Sequence, residues 1–137
     1  MKGRGRELIR VTLKQPGVSH PWELAPDGSH LAFAQNLGGK ECRIQILPLS
    51  GGETREVVIQ REIHDISLVW AADGRGFYIG SGDGALLFVD LDGRAEVLWK
   101  RETLWGFMPW GVPSRDGRHL AISAMTIESN VWMLENF

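Results

Sequence analysis

One cysteine, one tyrosine, almost no surplus of charge and no long apolar run mark this chain by what it withholds. With Cys42 alone, neither a disulfide framework nor a thiolate zinc site can form within one copy. A formal net charge of -2 gives no electrostatic reason to expect nucleic acid or an anionic membrane surface as partner. The N-terminal "MKGRGRELIRVTL" is basic, but Arg10 interrupts its one apolar run. That run falls short of the ~7–15 apolar residues of a secretory signal. No segment approaches the ~18 apolar residues of a membrane-spanning helix. These absences predict a soluble, cytoplasmic protein without nucleic-acid or membrane partners. Helical periodicity is missing too, and the apolar segments alternate with period two.

Glycine and tryptophan, at 17 and 6 of 137 residues, are abundant instead, and 43% of the chain is hydrophobic. This is the composition of a folded domain built from short strands and tight turns. Three Asp-Gly pairs, Asp27-Gly28, Asp73-Gly74 and Asp116-Gly117, lie 46 and 43 residues apart. Each stands between an apolar segment ("PWELA", "ISLVWA", "MPWGV") and an alternating one ("HLAFA", "GFYIG", "HLAIS"). Asp-Gly between two such runs predicts a hairpin, since glycine adopts positive φ without steric cost. Further turns and strands follow: "CRIQILPL", "ALLFVDL" and "NVWMLEN" as third strands, "TREVVIQ" and "AEVLWK" as fourth. A unit therefore has four short antiparallel strands, A to D. Such a unit recurring every ~40–50 residues matches the blade of a β-propeller.

"APDGSHLAFA" and "SRDGRHLAIS" resemble the Pro-Asp-Gly-Arg-x-Leu-Ala-Phe signature of TolB-like propeller repeats, relatives of the WD-repeat blade. The ending "SNVWMLENF" is similar to the last blade of such propellers in bacterial regulatory proteins. The resemblance spans nearly the whole chain. It departs where Ala72 and Arg115 stand in place of the proline supplied by Pro26, and where Gly76-Phe77 breaks the Leu-Ala pair. It implies an all-β fold with six blades in the ring.

"RELIRVTL" precedes the first repeat, with Leu8 as far from Asp27 as Val97 is from Asp116, so it reads as a D strand. The chain then runs D-ABCD-ABCD-ABC, three blades' worth in a single half-propeller domain over 1–137. Strand D falls in 1–13, the first blade in 14–60, the second in 61–100, and strands A to C of the third in 101–137. Three blades close no ring; known rings have typically ~4–8. The expected partner is a second copy, each chain lending its first strand to the other in a six-bladed homodimer.

Residues that point to chemistry are few. His30 and His119 occupy equivalent places just after Asp-Gly, which predicts a framework role in the turn. His20 and His64 lie in loops leading into strand A, on one rim of the expected channel, and Trp105 sits in the longest such connection, "KRETLWGFMP". These three are the candidate binding residues, because loops on a rigid scaffold carry recognition. Two histidines without a clear carboxylate companion do not predict a metal site. "YIGSGDGALL" lacks the Lys-Ser/Thr of a phosphate loop and is followed by a strand, so it reads as a B–C hairpin. Asp90, Asp92 and Glu96 in "DLDGRAE" fall short of an EF-hand ligand set and read as a C–D turn. No Gly-x-Ser-x-Gly elbow occurs. The sequence thus predicts a non-catalytic interaction or sensing module, with no cofactor and no metal, binding a protein, peptide or small ligand at the channel rim. The alternatives are a channel-site lyase or hydrolase, metal-dependent or not, and a structural fragment without selected activity.

Overall fold

The computed structural model describes residues 5–7, 20–36, 40–101, 108–125 and 133. Among these residues the fold is all-β, with ten strands and no helix. The first sheet is a meander of β1 (Trp22–Leu24), β2 (His30–Asn36), β3 (Cys42–Pro48) and β4 (Arg55–Ile59). The second repeats it with β5 (Ile66–Trp70), β6 (Gly76–Ser81), β7 (Ala85–Asp90) and β8 (Ala95–Lys100). The third contains β9 (Trp110–Pro113) and β10 (Leu120–Ser123). All pairings are antiparallel. The expected strand over 6–13 lies outside the described residues save for Arg6 and Glu7, and the expected third strand "NVWMLEN" lies outside them save for Met133.

The three Asp-Gly turns are built alike. The N–H of Gly28, Gly74 and Gly117 donates to the carbonyl three residues earlier, on Ala25, Ala71 and Ser114, at 2.8–2.9 Å. Each glycine sits at φ of 68–73°, a region costly for any side chain. Each aspartate accepts the backbone N–H two residues on: Ser29 at 2.9 Å, Arg75 at 3.0 Å and Arg118 at 3.1 Å. Such Asx turns satisfy the backbone locally. The second turn position donates no backbone bond to the turn, so Pro26, Ala72 and Arg115 serve equally well there.

The alternation in each strand decides what is buried. Ala32 and Ala34 of β2, Cys42, Ile44 and Ile46 of β3, and Val57 and Ile59 of β4 all point from the first sheet toward the second. They meet Ile66, Leu68, Trp70, Phe77, Ile79, Leu87 and Val89 in one continuous core. Trp70 and Phe77 lie with ring centroids 4.3 Å apart. Full burial of side chains of this size stabilises by about 1.5–3 kcal/mol each.

The sheets stack in succession, with β1 and β2 against β5, and β9 against β5 and β6. Strand β5 is consequently buried along both faces, while β8 is largely exposed. Polar contacts fix each junction. Between the first and second sheets, the Trp70 indole Nε1–H donates to the Glu23 carbonyl at 3.2 Å. Arg55 donates to the Leu91 carbonyl at 2.7 Å. Gly93, at φ 86°, lies so close to β4 that a Cβ there would stand 2.1 Å from the Val58 carbonyl oxygen. Between the second and third sheets, the buried Ser67 hydroxyl donates to the Pro109 carbonyl at 3.1 Å and accepts the Gly80 N–H at 2.9 Å.

Candidate functional site

The two ends of the stacked sheets differ. At one end the Asp-Gly turns gather around an open cleft of about 870 Å³. Its walls include Glu23 and Asp27 of the first sheet's leading hairpin, Glu53 and Arg55 at the start of β4, Trp70 and Asp73 of the second sheet, and Ser114 and Arg115 of the third. Glu23 stands on the face of β1 that looks toward β5, and partial burial raises its carboxyl above the usual carboxylate range. Asp27, Asp73 and Asp116 are held below that range by hydrogen bonds within their own turns. The cleft mixes acidic groups with the guanidinium groups of Arg55 and Arg115 and concentrates neither sign.

One constellation there has the residue types of a hydrolase. The Ser29 hydroxyl donates to Asp27 Oδ1 at 2.6 Å and lies 2.5 Å from His30 Nδ1. Nucleophilic activation needs the histidine between the serine and the acid, so that the ring takes the serine proton while the carboxylate orients the ring. Here the serine stands in the middle, and the aspartate is committed to the turn. The chain of contacts therefore acts as a cap on the turn. The third repeat caps its turn in a similar way, with Ser114 donating to Asp116 and the His119 N–H donating to the Ser114 hydroxyl. Among the described residues no group of three or more His, Cys, Asp or Glu is placed to hold a metal ion. Cys42 is buried in the core, and burial pushes its thiol up to about 11, far from a reactive thiolate.

The other end carries two of the candidate binding residues. His20 precedes β1 and stacks on Phe33, ring centroids 6.1 Å apart, and both of its ring nitrogens are buried without a hydrogen-bond partner among the described residues. His64 precedes β5 and is exposed, its Nε2 lying 3.2 Å from Glu62 Oε1. Its carbonyl accepts the Gly82 N–H, tying the loop to the β6–β7 turn. Neither histidine lines the cleft. Trp105 lies outside the described residues. The cleft itself is absent from the sequence reading. Its only signal there is the threefold recurrence of Asp-Gly, which reads as framework until three distant turns are seen side by side.

The flanks of the stack are the remaining unusual surface. On the outward face of the first sheet Trp22 and Leu24 are 67% and 48% exposed, beside Leu31 and Phe33. On the outward face of the third sheet Trp110 and Val112 are 44% and 51% exposed. Large apolar groups at this exposure, clustered on two sheet faces, exceed the scattered hydrophobic residues of an ordinary surface. Compared with known proteins, the chain matches no family model and no curated protein.

Proposed function

We propose that this chain is a non-catalytic interaction module built as three blades of a TolB-like β-propeller, and that two copies complete a six-bladed ring. The observation that carries the reading is the order of packing. The leading strands follow one another through the stack, β1 against β5 and β5 against β9, and the fourth strand of each complete sheet lies at its far edge. In a propeller the first strands of consecutive blades surround the channel and the fourth strands form the outer wall. The burial gradient from β5 to β8 runs in the same sense. A homodimer supplies six blades and covers the apolar flanks with apolar flanks.

In such a ring the chemistry of recognition falls to the rims. The loop rim offers the exposed His64, with Trp105 expected beside it from the sequence alone, to a protein, peptide or small ligand, and the turn rim offers the cleft. Among the described residues the Ser29, His30 and Asp27 cluster in the cleft is a turn cap rather than a nucleophile with its base, which favours binding over catalysis. The assembly is tested by light scattering coupled to size exclusion. Two chains of 15.3 kDa give a molar mass of about 31 kDa, and a mass that stays at one chain across the micromolar range refutes the ring. Recognition is tested by selecting binders from a random peptide library. Enriched peptides should lose affinity with His64→Ala or Trp105→Ala, and failure of both substitutions to weaken any selected peptide refutes the loop rim as the site.

A further inference from the structure

The outward faces of the first and third sheets are two halves of one junction, and the chain shows twice how such a junction is made. Matching the turn glycines Gly28, Gly74 and Gly117 sets Leu24, Trp70 and Pro113 at one level, and Glu23, Val69 and Val112 at the next. In the first internal junction Trp70 reaches back to the preceding sheet and donates to the Glu23 carbonyl. A residue at the first level thus meets the second level of the sheet before it. In the second internal junction the Ser67 hydroxyl of one sheet donates to the Pro109 carbonyl of the next. The same matching makes Trp110 equivalent to Ser67, and His20 equivalent to Pro109.

We propose that two copies of this chain join head to tail, the Trp22–Leu24 face of one seated on the Trp110–Val112 face of the other, with Leu24 opposite Val112 and Trp110 against His20. This deepens the six-bladed reading and rests on it. Three further observations support the pairing. The outer half of the first sheet's face is already satisfied, Arg43 bridging Glu41 and Glu56 at 3.0 Å to the latter, so that its apolar inner half is what lacks a cover. The exposed Trp110 ring and the His20–Phe33 stack, with ring centroids 6.1 Å apart, offer aromatic surface to each other at these matched positions. The glycine in the second sheet's last turn, Gly93, is wedged against the sheet before it, whereas Gly51 in the corresponding turn of the first sheet faces open space at nearly the same φ.

A head-to-tail junction makes a sharp test, because it pairs two different faces. Leu24→Lys or Val112→Asp alone places an unpaired charge in both junctions of the ring. Either variant should weaken dimerisation at least about a hundredfold, since an uncompensated buried charge is strongly destabilising. Both positions are exposed within one chain, so the monomers should keep the β-sheet circular dichroism of the parent. Mixed in equal amounts, the two variants have one wild-type junction and one Lys–Asp junction between them. The mixture should recover a species of about 31 kDa, twice the 15.3 kDa of one chain. If the parent chain is itself monomeric, the ring reading falls. If the parent is dimeric but only one variant dissociates, or the mixture fails to recover while both variants remain folded, the ring survives and the head-to-tail register is wrong.

Discussion

Replacing Ser67 by alanine tests how the third sheet is held to the second. Ser67 is 1% exposed, and its hydroxyl is the bridge between the Gly80 N–H at 2.9 Å and the Pro109 carbonyl at 3.1 Å. Alanine keeps the β-carbon and removes the bridge. Gly80 and Pro109 are themselves buried, so the N–H and the carbonyl lose the hydroxyl that satisfied them. A buried polar group left without a partner costs about 1–3 kcal/mol, and some of that returns because the serine hydroxyl no longer has to be desolvated. The net loss should be about 2–4 kcal/mol. Against a total stability of about 5–15 kcal/mol, this is a large fraction. Urea unfolding followed by tryptophan fluorescence at one fixed protein concentration measures it. The midpoint should fall with an unchanged slope, because the surface exposed on unfolding is the same. A loss below about 0.5 kcal/mol would mean that the bridge contributes nothing net and that apolar packing alone joins the sheets.

Two other perturbations address the turns. Gly93→Ala should cost more than about 2 kcal/mol, since it combines left-handed strain with a Cβ 2.1 Å from the Val58 carbonyl oxygen. Gly74→Ala, at φ 70° but facing open space, should cost only about 1 kcal/mol; equal losses in denaturant titrations would discard the wedge between sheets. The Asp-Gly turns should also make the fold acid-sensitive. Asp27 is held below the ordinary carboxylate value of 3.8 by the Ser29 hydroxyl, Asp73 by the Arg75 N–H, and Asp116 by the Ser114 hydroxyl. A carboxyl that is more acidic in the folded state adds stability above its unfolded value and loses it as the pH falls through the folded value. The urea midpoint should therefore drop below about pH 4, near the unfolded value of aspartate. The Asp→Asn triple variant should start lower at neutral pH and lose less in acid, and parallel pH profiles for the two proteins would show that the turns are not responsible.

Most strand boundaries in the first two sheets are legible because the turns are chemically explicit. "AEVLWK" is β8 to the residue, and "ISLVWA" and "ALLFVDL" differ from β5 and β7 by one residue each. Period-two alternation then assigns the buried face, as with Ala32 and Ala34. The strand "PWELA" is shorter than it reads, reduced to Trp22–Leu24, because Pro21 accepts the Ala34 N–H but has no N–H to return. The strand tryptophans divide. Trp70 is buried, while Trp22 and Trp110 are exposed. Alternation tells which way a side chain faces but not whether another sheet stands opposite, and these three residues are of one type with different neighbours. The cleft and the stacking of His20 on Phe33 were out of reach for a related reason. Each depends on residues from separate hairpins whose distance is set only by packing.

The double-sided burial of Ile66–Trp70 has a consequence for how such a chain can diverge. An edge strand such as Ala95–Lys100 can exchange most of its side chains one at a time, because water accepts nearly any replacement. The opposite edge strand of the same sheet, packed on both faces, has no such latitude: a change in volume at any of its five positions must be answered on one flank or the other. Its residues are thus expected to alter only in concert with those of the neighbouring hairpins, while the exposed edge strand drifts freely.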